Sequence, residues 1–486
     1  MGSRGSPGGM GGDRLQPRRI LARHRPLALD PAQLRDRVGR MPGPALLGGP
    51  DPSGAAGRWA ILAAHPRLVI ESPAGLDSTV RDDRGEARSG PDALLELAAL
   101  LARHGLDRPD HGLDPALPFQ GGLIGFLSYD LAPRIEHTPR RLPVGPRTPA
   151  LRFGLYDTFV LVDHARARAD LWAVDLFGQG DRALRDRLDS WDDQLRRPVL
   201  PVGEGWHPVE PVEPEVTPGA YRAMVERARR YIAAGDIFQV NLAQRFSAAA
   251  RFDPLALAAR LQAASPAPYS AYLAWDDQAI ISVSPELFYE TAGRRIVTRP
   301  IKGTRPRSAD PGADAAEAAA LLASPKDAAE LTMIVDLERN DLGRVCEFGS
   351  VRVVDPRALE SYPNVHHTVA TIEGCLRADV APVNVVRALF PGGSITGAPK
   401  IRAMQIIDEL EPCRRGVYTG AIGYWSANDR SAFNIAIRTV VIEGGRVGYH
   451  VGGGIVADSD PEAEYRETLH KGRALFALLG GREGHP

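Results

Sequence analysis

Apolar and polar positions fall into two regimes along the chain. Between residues 26 and 197, short apolar runs alternate with helical stretches. ALLGG, RWAILAAH, RLVIE, GLIGFLSYD, TFVLVDH and ADLWAVDL have strand length, while PDALLELAALLARHG repeats its leucines at helical spacing. From 198 to 216 the pattern stops, and prolines and acids without a period read as a linker. TPGAYRAMVERARRYIAAGD then opens a second segment, 217–480, with Thr217 as helix cap and Pro218 in the first turn. Residues 1–25, rich in Gly and Arg, have the low complexity of a disordered tail.

Composition narrows the class. A chain of 486 residues with 44% apolar and 24% charged positions is expected to fold around a sizeable core. Its net charge of −1 supplies no field for a nucleic acid or an anionic membrane. No run reaches the roughly 18 apolar residues of a membrane span, and the first residues lack a signal peptide's apolar core. Cys346, Cys375 and Cys413 are too widely spaced for a metal or disulfide framework. The expectation is a cytoplasmic protein with neither nucleic-acid nor membrane partners.

Lysine usage is less ordinary. Of 59 basic residues only Lys302, Lys326, Lys400 and Lys471 are lysines. Arginine is always charged, whereas a lysine neutralised by its surroundings becomes a nucleophile or base. Lys302 lies in PIKGT, one of three glycine-rich strings with PGGSITGAPK and GGGIVADSDPEAEYRET. Glycine permits close backbone approach to a small anionic ligand, and equally makes a tight turn. PGGSITGAPK is no P-loop, because Lys400 follows Pro399 where a Gly-Lys pair is required.

The acids occupy two predicted helices. One runs from the Ser324 cap to near Gly343 with Glu330 in its first turns; the other starts at Ser459 or Asp460 and ends at Gly480. On the second, Glu464, Glu467 and Lys471 share a face. Spacing alone admits both a solvated ion-paired face and a Mg²⁺ site of hard oxygen ligands.

Taken in order, GDIFQVNLAQRF, SPELF, RPIKGTRPR, KDAAELTMIVDLERNDLGRV, HHTVATIEG, PGGSITGAPKIRAMQIIDELEP, YTGAIGYWS, NIAIRT and GGGIVADSDPEAEYRET resemble the chorismate-binding core of the anthranilate synthase, aminodeoxychorismate synthase and isochorismate synthase superfamily. The resemblance is dense over 217–478 and weaker over 45–165. It implies an α+β fold: two large, mostly antiparallel sheets packed face to face, helices outside, the amino-terminal region docked on the core.

The resemblance also implies roles. Members that add water to the ring carry a lysine base where this chain has Gln239, a neutral amide placed among the substrate-binding residues. Anthranilate synthases usually read PIAGT, so Lys302 in PIKGT resembles the aminodeoxychorismate synthase branch, with anthranilate synthase component I as the alternative. Glu286 matches the acid that assists departure of the 4-hydroxyl, and Thr304 and His367 match positions near the pyruvyl side. Arg438, Tyr418 and Lys471, with the amides of Gly453 and Gly454, match carboxylate binders. Glu330 and Glu467 match Mg²⁺ ligands, with Glu464 nearby or acting through water. The implied partners are chorismate, ammonia and a separate class I glutamine amidotransferase subunit, since none of RVCEF, EGCLR or EPCRR forms a glutaminase nucleophile turn. Regulated anthranilate synthases carry an LLES string whose serine helps hold tryptophan. Gly48 and Gly49 stand in that region here.

Overall fold

Apolar residues at consecutive strand positions demand burial on both faces, and the fold supplies it. The computed structural model describes residues 20–49, 57–73, 77–107, 112–136, 138, 148–198, 207–208, 212–251 and 253–479. Its described strands form two antiparallel sheets, of 13 and 12 strands. In the strand Trp59–Ala63, Ile61 and Ala63 enter the core between the sheets, while Ala60 and Leu62 face an outer layer. Thr158–Asp163 repeats the division, with Phe159 and Leu161 inside and Val160 and Val162 outside. Helices Pro31–Gly39, Gly180–Arg196 and Pro254–Ala264 cover that outer face of the larger sheet through Leu34, Leu188, Trp191 and Leu261. Stacking of Phe126 on Trp275, 5.8 Å between ring centroids, joins the two inner faces. The α+β expectation of two packed antiparallel sheets holds.

Both sheets cross the 198–216 boundary. The strand Ala45–Leu47 pairs with Tyr269–Trp275 in the larger sheet, and Gly122–Leu127 pairs with Ala421–Ser426 in the smaller. Residues 199–206 and 209–211 of the linker lie outside the described residues. Within it, His207–Pro208 and Glu213–Pro214 pair with the long strand Gln239–Arg251.

The tail reading needs correction at its end. Residues 1–19 lie outside the described residues, but Ala22–Leu27 is a strand paired along its length with Arg168–Val174. Side-chain contacts with a distant helix hold it: Arg23 meets Asp181 at 2.8 Å and Arg25 meets Asp189 at 2.6 Å, while His24 stacks on Trp172. An edge strand can be this polar, because only one side of its ladder is paired.

Two sequence strings resolve structurally. Lys400 is buried, 2.5 Å from Asp341 and 2.9 Å from the Leu389 carbonyl, and so clamps helix Lys400–Leu410 to helix Pro325–Gly343. Its point charge serves packing, as the missing P-loop pattern requires. In the ALLGG string, a side chain at Gly49 would lie 2.2 Å from the Gln262 amide nitrogen and 3.0 Å from the Ala267 carbonyl. Gln262 fills the space next to the position where a tryptophan-holding serine is expected. Calorimetry with millimolar tryptophan is therefore expected to show no binding, and tight stoichiometric binding would contradict this.

Candidate active site

The site forms where the two sheets meet two helix N-termini. Strand Ile301–Pro306, at an edge of the smaller sheet, carries PIKGT. Its pairing with Val365–Cys375 slips between Lys302 and Thr304, a β-bulge with Gly303 at φ +76°. A side chain at Gly303 would meet Leu321 at 2.8 Å and Asp327 at 3.1 Å, so only glycine lets the strand lie this close to the helices. Ser324 caps helix Pro325–Gly343 by accepting from the Asp327 amide at 3.2 Å, with Pro325 in the first turn, which sets Glu330 beside the bulge. Asp460 and Pro461 start helix Pro461–Leu478 in the same way and set Glu464, Glu467 and Lys471.

Lys302 stands at the centre. Its Nζ donates to the Ser394 carbonyl at 3.0 Å and lies 3.7 Å from the place a side chain on Gly454 would occupy. Burial lowers its pKa from the ordinary lysine range, against the opposing pull of Glu330 and Glu286. Gln239 is fully buried, its amide 2.4 Å from that same Gly454 position, and neither of its polar side-chain atoms has a partner. An unpaired buried amide is costly, so it marks a place where a ligand is expected.

Glu286 follows strand Gln278–Ser284 and is buried, accepting from the Ile301 amide at 3.3 Å. Burial raises its pKa, which favours the protonated acid. Thr304 Oγ1 and His367 Nδ1 are 2.9 Å apart, and His367 Nε2 is 3.4 Å from Arg438 Nη2. Burial, reinforced by Arg438, pushes His367 down to about 3, so it stays neutral at physiological pH. Arg438 adopts φ +49°, left-handed for a non-glycine residue, in the turn between strands Arg430–Ile435 and Thr439–Glu443.

On the other side, a side chain at Gly453 would lie 3.2 Å from Glu464 Oε2, 3.9 Å from Lys471 Nζ and 4.0 Å from Glu467 Oε1. Lys471 meets Glu467 at 2.7 Å and donates to the Gly452 carbonyl at 3.2 Å. Tyr418 reaches the same strand, its hydroxyl 3.0 Å from where a Gly452 side chain would stand, and its ring stacks on His450. Lys471 lowers the pKa of Glu467, whereas burial raises those of Glu330 and Glu464. The fold thus gathers all the named site residues around one seam.

The carboxylates suit a hard cation that keeps waters and substrate oxygens, because burial leaves Glu330 and Glu464 short of compensating charge. Among the described residues no group of three or more His, Cys, Asp or Glu side chains is placed to hold a metal ion by itself. Three neighbours were not assigned to the site by the sequence reading, although Lys326 stood out there as a rare lysine. Lys326, 4.0 Å from Glu330, and Glu338 share the Glu330 helix and were within reach of its spacing; the Ser394 carbonyl, a backbone atom, was not. Glu338 accepts from Thr298 Oγ1 at 2.6 Å, and burial pushes it up to about 8.

Known proteins are similar to this chain in sequence and fold. The family profile described as chorismate binding enzyme matches residues 60–477. Aminodeoxychorismate synthase component 1 of Klebsiella aerogenes is 41% identical over 425 residues, 87% of this chain and 91% of that protein. Anthranilate synthase component 1 of Thermus thermophilus is 39% identical over 428 residues, covering 88% and 90%. The crystal structure of anthranilate synthase component I from Streptococcus pneumoniae superposes with a TM-score of 0.76 at 32% identity, covering 86% of this chain and 92% of that one. Gathered Lys, Glu, Arg and Gly positions and these likenesses agree: the chain belongs to the family of chorismate-binding enzymes.

Proposed function

We propose that this chain is component 1 of an aminodeoxychorismate synthase, converting chorismate and ammonia to 4-amino-4-deoxychorismate for para-aminobenzoate and folate synthesis. The observation that carries the reading is Lys302: a half-buried lysine whose amine donates to the Ser394 carbonyl, with a lowered pKa and within electrostatic reach of Glu286 and Glu330. The likeness to aminodeoxychorismate synthase component 1 supports it.

Replacing the 4-hydroxyl by an amine with retention is explained by two displacements. The neutral Lys302 amine adds at C2 and the diene electrons shift. The C4–O bond then breaks, and Glu286 gives its proton to the departing hydroxyl, which leaves as water. Ammonia next adds at C4, the electrons shift back, and the C2–N bond to Lys302 breaks. The Glu286 carboxylate takes the proton from the new C4 ammonium, and Lys302 retains the proton it needs to leave as an amine. Arg438, Tyr418 and Lys471 with the Gly453 and Gly454 amides hold the substrate carboxylates through both steps. Glu330 and Glu467, with Glu464 nearby, would hold Mg²⁺, which would fix and neutralise the ring carboxylate. Gln239 cannot act as a base toward water, and its amide is free to hydrogen-bond substrate or ammonia. Anthranilate formation needs no such nucleophile, so Lys302 ranks it second.

Three outcomes follow from the reading. Lys302→Ala is expected to bind chorismate with about wild-type affinity while 4-amination falls by roughly a thousandfold or more. Lys302→Arg should fail equally, because a guanidinium stays protonated; product chromatography showing full 4-amination by either variant would refute the role. Glu467→Gln should weaken Mg²⁺ and chorismate binding together, each measured by calorimetry, and unaltered binding of both would remove Glu467 from the metal. The purified chain should make product from ammonium salts but not from glutamine, which needs a separate glutaminase subunit. Glutamine-driven turnover by the single chain would contradict that division.

A further inference from the structure

Thr304 and His367 face each other across the last few residues of an edge strand, and something outside the sheet must keep them there. Beyond the Gly303 bulge only Thr304, Arg305 and Pro306 pair with Val365–Cys375, through His367, His366 and Val365. Helix Pro311–Ala323 lies over this end, yet Leu321 is its single buried residue among those described. Packing alone holds it weakly.

Asp314 on that helix ties the end together. Its Oδ1 accepts from Arg307 Nε at 2.8 Å and from the Ser308 amide at 2.9 Å, and its Oδ2 is 3.0 Å from the same Arg307 nitrogen. His366 Nε2 is 3.1 Å from Oδ1, and His366 Nδ1 is 2.8 Å from the Ser361 hydroxyl. With the proton on Nε2, His366 donates to Asp314 and accepts from Ser361, so both ring nitrogens are used. Arg307 also donates through Nη1 to the Tyr362 carbonyl at 3.1 Å and through its amide to the Asn364 carbonyl at 3.0 Å. Ser361, His366 and Asp314 stand in the order of a hydrolytic triad, but Arg307 engages both carboxylate oxygens, so the chain of bonds braces the hairpin.

We propose that Asp314 is a positioning residue for the Thr304–His367 pair, acting through Arg307 just past the end of one strand and His366 on the other. Arg307 lies three residues after Thr304, and His366 immediately precedes His367, so one carboxylate sets both halves of the pair. By the resemblance that pair would lie near the pyruvyl side of the substrate, away from C2 and C4, and would then contribute binding that is equal in ground and transition states. The inference rests on chorismate being the substrate.

Asp314→Ala should raise the KM for chorismate about tenfold with kcat within about twofold, the signature of lost uniform binding. Asp314→Asn, which keeps the shape and part of the hydrogen bonding, should lie between it and wild type. In histidine-labelled protein, the His367 ring resonances should move in Asp314→Ala while the melting temperature stays close to wild type. Unchanged KM and unchanged His367 resonances would overturn the proposal, as would a parallel fall in kcat and melting temperature. Should Asp314→Ala fail to fold, Asp314→Asn carries the same test with a smaller rise in KM and a smaller shift of the His367 resonances. If the wild-type enzyme does not turn over chorismate, the substrate reading fails, and the histidine resonances still decide whether Asp314 holds His367.

Discussion

Placement of the half-buried Lys302 amine at the seam of the two sheets is the constraint on which the arrangement depends. Out of water, an ammonium group costs several kcal/mol unless opposite charge surrounds it. The strand that carries it can approach Glu330 only because Gly303 bulges and has no side chain. On the strand that faces it, a side chain at 454 would strike the Gln239 amide at 2.4 Å, and one at 453 would crowd Glu464 at 3.2 Å. The Lys302 position thus goes together with a bulge, a glycine pair and two capped helices that carry the neighbouring carboxylates.

The four lysines of this arginine-rich chain divide by the same physics. Lys302 has a lowered pKa that favours the neutral form the proposed chemistry uses, and Lys471 and Lys326 offer movable point charges to the carboxylates. Lys400 does structural work in a buried pair with Asp341. The bias against lysine was therefore a pointer to charge placement, and to nucleophilic chemistry at one position.

Much of the fold was legible because strands buried on two faces write continuous apolar runs, as WAILA and TFVLVD do. Ala22–Leu27 was not, since its cohesion comes from ion pairs with residues more than 150 positions away, which no local pattern records. That the two sheets pass through both segments was also invisible to a reading that stopped at a proline-rich stretch. In the site, helical spacing placed Glu330, Glu464, Glu467 and Lys471, while Glu286, Thr304, His367 and Arg438 came from motif resemblance. Glu338 lay within reach of the helical spacing, two turns after Glu330, whereas Asp314 was missed because its cross-strand partnership belongs to tertiary structure.

The account centres on a covalent bond between Lys302 and C2 of the ring. Incubating the chain with chorismate and Mg²⁺ in the absence of ammonia, then quenching and digesting it, tests that bond directly. Peptide mass spectrometry should find chorismate less water on the peptide holding Lys302, and ammonia added before the quench should clear it. An unmodified peptide, together with a Lys302→Ala enzyme that still makes 4-amino-4-deoxychorismate, would contradict the account.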